Sequence, residues 1–164
     1  MLERDDRLAK KDAELVAERE RRPILLPSIK EAYVAFTIAT PPSHLVLMSV
    51  RVENAGSDPA RISRVEARAT WHGQTYGATP FESPPGLVAF AIHSRASPVP
   101  NNESDRLEMQ PPAAGRDRVE GWHAAMFQHL PFKKFSDVVL GVRVQGVGCA
   151  WTDWVEFQPP EGVI

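Results

Sequence analysis

The amino-acid sequence predicts an all-β domain, an antiparallel two-sheet sandwich, preceded by a short N-terminal α-helix. Three observations carry this. From Pro23 onward apolar residues recur with period two, the repeat of a half-buried strand. Clusters of Gly, Pro, Asn and Ser interrupt that pattern roughly every ten residues, which makes about eight or nine strands with no helical periodicity between them. Ahead of Pro23 the chain is rich in Ala, Leu, Glu, Lys and Arg and holds neither Gly nor Pro. The expected division is a charged helix over residues 1–22 and a β-domain over residues 23–164.

Local charge supports the helix. Glu3–Arg7, Asp6–Lys10 and Glu18–Arg22 are opposite charges four residues apart, in the favourable acid-first order. Pro23 ends it, because the residue before a proline avoids the α region. Leu2, Ala9 and Val16 fall seven apart, as do Leu8 and Leu15. These five residues form one narrow apolar seam of the kind a coiled coil uses. Two readings stay open, a solvated helix and a helix that pairs with another.

The strands follow in order. Ile24–Leu26 starts an edge strand between prolines. Tyr33–Ala39 places Val34, Phe36 and Ile38 on one face. In Leu45–Glu53, Val46, Met48, Val50 and Val52 face the core, and the Leu45 end is apolar on both faces. Asn54–Pro59 is a turn, and Arg61–His72 returns with Val65, Ala67, Ala69 and Trp71 inward against Arg64, Glu66 and Arg68 outward. His72-Gly73-Gln74 turns into Thr75–Tyr76. Thr79–Gly86 is a loop, Leu87–His93 a strand, Ser94–Asp105 a loop and Arg106–Met109 a short strand. Gly121 suggests a bulge within Arg116–Ala125. Phe127, Leu130, Phe132 and Phe135 are expected to plug one end of the core. Asp137–Gln145 carries Val138, Leu140, Val142 and Val144 inward, and Ala150–Phe157 closes the domain with Trp151, Asp153, Val155 and Phe157 in phase.

The run from Val50 to Gly73, a strand ending in Asn-Ala-Gly, a polar turn and a second alternating strand, resembles immunoglobulin-like and fibronectin-III-like bacterial domains. The resemblance covers 24 of the 164 residues. It implies an immunoglobulin-like β-sandwich with a binding or scaffolding role and brings over no functional residues. The cysteine pair of antibody-type domains is missing, since Cys149 is the one cysteine of the chain.

Charge and motifs narrow the function. A formal net charge of -2 argues against nucleic acid or an acidic membrane as partner. One cysteine allows neither an internal disulfide nor a cysteine-based metal site. No stretch reaches the ~20 apolar residues of a membrane span, and the start is charged from Glu3 onward, unlike a signal peptide. These features leave the compartment open. His44, His72, His93, His123 and His129 show no metal-ligand spacing, so neither metal nor cofactor is expected. No Gly-x-Ser-x-Gly elbow occurs. The leading expectation is a non-enzymatic interaction or structural module. It is tethered or paired through the helix to an unidentified protein partner, as part of a larger assembly such as a virion. A carbohydrate-binding module using Trp154 or Trp122 is the first alternative, since aromatic rings stack on sugars. A small hydrolase around Asp153 is the second, since an inward acid must be paired or protonated.

Overall fold

The computed structural model describes residues 2–38, 40–80 and 106–161. Helix α1 spans Leu2–Arg21. The strands are β1 (Leu25–Ile38), β2 (Ser43–Asn54), β3 (Ile62–Trp71), β4 (Gln74–Gly77), β5 (Thr79–Pro80), β6 (Arg118–Gln128), β7 (Val139–Gly146) and β8 (Val155–Phe157), with 3-10 turns at Leu107–Met109 and Phe135–Asp137. They form two antiparallel four-stranded sheets, ordered β1-β2-β6-β5 and β4-β3-β7-β8. The expected strand Leu87–His93 and loop Ser94–Asp105 lie outside the described residues.

One apolar cluster joins the two sheets. Val46, Met48, Val50 and Val52 of β2 meet Val65, Ala67 and Ala69 of β3 and Leu140, Val142 and Val144 of β7, all buried. Phe127, Leu130 and Phe135 fill this cluster, with Phe132 packed against it. A second cluster lies on the other face of the first sheet, where Leu45 and Leu47 join Tyr33 and Ala35 under Trp122, Ala124 and Met126. The Leu45 end of β2 is therefore buried on both faces.

Several local expectations are corrected. Ile24–Leu26 and Tyr33–Ala39 are not separate, because β1 runs through Pro27, which an edge strand tolerates. Register shifts between Ile29 and Glu31 and between Val34 and Phe36 break its alternation. Val34 consequently packs on the core while Ile38 is exposed; the Phe36 side chain lies outside the described residues. Thr79–Pro80 is not loop but a short edge strand on β6. The expected strand Arg106–Met109 is instead an extended Arg106 bridged to Trp122, followed by the 3-10 turn Leu107–Met109. Gly121 makes no bulge: β6 pairs with β2 without a slip from Gln128 to Arg118.

The β3–β4 hairpin closes through two residues of positive φ, His72 at 48° and Gly73 at 79°. Such turns match the twist of the flanking strands, and glycine takes that conformation at no steric cost.

Asn54 organises the turn that follows β2. It is 1% exposed, and its amide is fully used. Oδ1 accepts from the N–H of Ile24 (3.3 Å) and of Gly56 (3.1 Å), while Nδ2 donates to the carbonyls of Asp58 (2.7 Å) and Ala113 (3.2 Å). Asn54→Leu leaves these backbone groups without their partner. It is expected to cost about 3 kcal/mol, measured by urea unfolding.

His44 sits on the inner side of β2, stacked on Phe132 with ring centroids 3.9 Å apart. Nε2–H donates to the Leu130 carbonyl at 2.8 Å, which leaves Nδ1 to accept from the Thr37 hydroxyl at 2.9 Å. Burial lowers its pKa, with the Leu130 bond acting in the opposite direction. A histidine depressed in the folded state is protonated first in the unfolded chain. Its contribution is thus present above the unfolded pKa of ~6.5 and is lost as pH falls from there through the folded value. Thermal unfolding between pH 8 and pH 5 is expected to show this loss, and His44→Gln to reduce it.

Candidate functional site

The outer face of β3 presents Arg64, Glu66 and Arg68, the polar half of its alternation. Arg143 of β7 lies opposite Glu66 and forks onto its Oε2 through Nε (2.8 Å) and Nη2 (2.6 Å). The guanidinium of Arg143 also lies 4.7 Å from the Trp151 ring centroid and 4.8 Å from that of Trp154. Arg68 lies 4.3 Å from Trp154, and Arg64 lies 5.7 Å from Trp151. The contacts therefore run Arg64, Trp151, Arg143, Trp154, Arg68, an alternating row of cations and rings. Gly141 leaves room for it: a Cβ there would stand 3.0 Å from Cγ of Arg68 and 3.5 Å from the Trp154 ring.

This row corrects the expected inward face of Ala150–Phe157. Thr152 substitutes its hydroxyl in the ladder, accepting from Val144 N–H at 3.0 Å while its own N–H bonds the Val144 carbonyl at 2.9 Å. Regular pairing resumes only at Val155, after an isolated Trp151–Gln145 bridge. The parity count is broken there. Trp151 turns outward to the arginines instead of joining the core, and Asp153 is exposed. Arg143 is bonded to Glu66 rather than to Asp153. Exposure of Asp153 removes the premise of a buried acid at that position.

A second group lies across the cleft. The Leu107–Met109 turn packs against β6 at Gly121, where a Cβ would stand 2.4 Å from Cα of Leu107. That contact brings Glu108 beside His123, with Oε1 and Nδ1 3.7 Å apart, and Arg106 3.6 Å from the other carboxylate oxygen. Burial pushes the Glu108 carboxyl up. The His123 ring and the Arg106 charge outweigh it and hold the group below the usual glutamate range, so it is ionised at neutral pH. His123 is 2% exposed, and its Nδ1 has no hydrogen-bond partner. Both groups open on one groove of about 840 Å³, whose wall includes the consecutive residues Ser63 to Arg68 and whose rim includes Trp154.

The two tryptophans singled out from the sequence are not brought together. Trp154 lies on the outer face of the β3-containing sheet under arginines. Trp122 lies on the first sheet, its ring 6.1 Å from Tyr33. The seam residues Leu8, Ala9, Leu15 and Val16 lie on the exposed stretch of α1, and the Leu2 side chain is outside the described residues. Sequence reasoning missed Arg64, Arg68, Arg143 and Glu108 as site residues and left His123 unassigned. The Arg-Val-Glu-Ala-Arg alternation was the readable signal for the first two; nothing in the sequence links Glu108 to His123.

Among the described residues no group of three or more His, Cys, Asp or Glu side chains could hold a metal ion, and no helix is long and apolar enough to cross a membrane. Comparison of the chain with family models, curated proteins and solved structures finds no match.

Proposed function

We propose that the chain is a non-enzymatic protein-interaction or structural module of a larger assembly: an immunoglobulin-like β-sandwich paired with a second copy through α1. The observation that carries the reading is the exposed apolar row of the helix. Leu8, Leu15 and Val16 are 56%, 53% and 52% exposed. An isolated helix of this length is marginal in water, and apolar side chains in one row gain from a facing helix. An antiparallel pairing centred on Asp12 sets Leu8 of each copy against Val16 of the other and Ala9 against Leu15.

The strand orders support the sandwich. In the immunoglobulin arrangement the first, second, fifth and fourth strands make one sheet, and the third, sixth and seventh the other. With β4 counted as an added strand beside the third, β1-β2-β6-β5 and β3-β7-β8 follow that order.

Light scattering tests the pairing. The full chain is expected to be a weak dimer, and the chain without residues 1–22 a monomer of unchanged melting temperature. Asp12 meets its own copy at the centre of the seam, so Asp12→Asn is expected to tighten the dimer by removing like-charge repulsion. A full chain monomeric at millimolar concentration, or a truncated chain still dimeric, excludes this pairing.

A further inference from the structure

The groove between β3 and the Leu107–Met109 turn is unevenly charged. One wall carries Arg64, Glu66 and Arg68, and the other carries Arg106, Glu108 and His123. Both glutamates are already matched. Glu66 is held by Arg143 at 2.6 Å, and Glu108 has Arg106 3.6 Å from one carboxylate oxygen. Arg64 and Arg68 are not. Arg68 has a 4.0 Å contact with the exposed Glu156, and Arg64 makes no ion pair among the described residues. Two cations on one wall therefore remain for anions, and the guanidinium fork suits a carboxylate. Arg68 is steadied by its 4.3 Å contact with the Trp154 ring on the rim.

The opposite wall fits neutral hydrogen-bonding groups. His123 is 2% exposed, and its Nδ1 has no partner. It stands 3.7 Å from Oε1 of Glu108, too far for a direct hydrogen bond. One hydroxyl oxygen about 2.8 Å from each atom spans that gap, accepting from Nδ1–H and donating to the carboxylate. An ammonium is the poorer fit there, because Arg106 already faces Glu108. The floor adds a backbone pair. β4 covers the edge of β3 only as far as Ala67, whose carbonyl accepts from the Ala78 N–H at 3.2 Å. Val144, opposite Val65, uses both its backbone groups on Thr152. The N–H and C=O of Val65 consequently point to the groove, one donor and one acceptor.

We propose that this groove binds a short acidic saccharide built of uronic-acid rings, whose carboxylates pair with Arg68 and Arg64 and whose hydroxyls reach Glu108, His123 and the Val65 backbone. A uronic acid carries an anion and several neutral hydroxyls on one rigid ring, which is the combination the two walls present. At about 840 Å³ the groove is of small-molecule size. The site goes beyond the pairing of α1 and shares no residue with it. Helix pairing is read from molecular mass and sugar binding from spectroscopy, so either can fail alone.

The test is titration of the full chain with trigalacturonate and with trimannuronate, which differ in the stereochemistry of their hydroxyls. Tryptophan fluorescence and the amide resonance of Val65 follow the binding. Arg68 rests against Trp154, so a carboxylate drawn to it changes the emission, and a hydroxyl on the Val65 N–H shifts its amide. Saturable, salt-sensitive binding of at least one of the two is expected. Two comparison ligands separate the kinds of contact. The methyl ester of the tighter sugar keeps the hydroxyls without the charge, and tricarballylate keeps three carboxylates without hydroxyls. Each is expected to bind about tenfold or more weakly. Arg68→Gln is expected to weaken the parent sugar by a similar factor, with the circular dichroism unchanged. No saturable binding of either sugar at millimolar concentration, equal binding of the methyl ester or of tricarballylate, or equal binding by the folded Arg68→Gln chain overturns the proposal.

Discussion

Phe127→Ala is expected to lower the unfolding free energy by about 3–5 kcal/mol, the range for deleting a buried aromatic ring. Phe127 is fully buried, and it lies on β6 opposite His44 of β2. Leu130 and Phe135 belong to the same cluster, and Phe132 packs on it. Close packing leaves little room for these neighbours to collapse into the space a phenyl ring vacates. Urea unfolding checks the loss. Val147→Ala is the contrast: Val147 is 65% exposed beyond the end of β7, so its truncation should change stability by less than about 0.5 kcal/mol.

Gly121→Val is expected to cost about 3 kcal/mol or more and to dismantle one wall of the groove. The Cβ of any residue other than glycine would stand 2.4 Å from Cα and 2.6 Å from N of Leu107, and 3.0 Å from the carbonyl carbon of Arg106. All three are backbone atoms, so no rotamer change relieves the clash. The Leu107–Met109 turn must move off β6, taking the fully buried Leu107 out of the core and Glu108 away from His123. Thermal unfolding should show the lost stability. Gly77→Ala is the control, since a Cβ there meets nothing within 4 Å.

Both substitutions act where a long-range contact meets a local pattern. Phe127 was legible as core from the density of aromatic residues around it. Gly121 was legible as an exception to the strand pattern, but its role was not. A bulge and a close approach of another segment leave the same mark, one small residue among larger ones. Only the position of Leu107 separates them.

The same limit explains the site. Arg64, Glu66 and Arg68 share a face because side chains of one strand alternate, and that much followed from spacing alone. That Arg143 stands opposite Glu66, with tryptophans on either side of it in the contact row, depends on β3 pairing with β7 across a sequence separation of 77 residues. Asp153 shows how parity fails. Counting by two from Trp151 assumes an unbroken backbone ladder, and the Thr152 hydroxyl breaks it. The two register shifts of β1 act in the same way on Val34 and Ile38.

By itself the sequence determined the charged helix ending before Pro23, the β content, the inward faces of β2, β3 and β7, and the aromatic end of the core. Each of these depends on residue type and local period, which act within a few residues of chain. The tertiary structure decided which strands are neighbours, which outward residues meet, and that Glu108 and His123 line one groove with Arg64 and Arg68. Those outcomes depend on contacts between distant segments, and a period of two records which side of its own strand a residue faces but not what lies across from it.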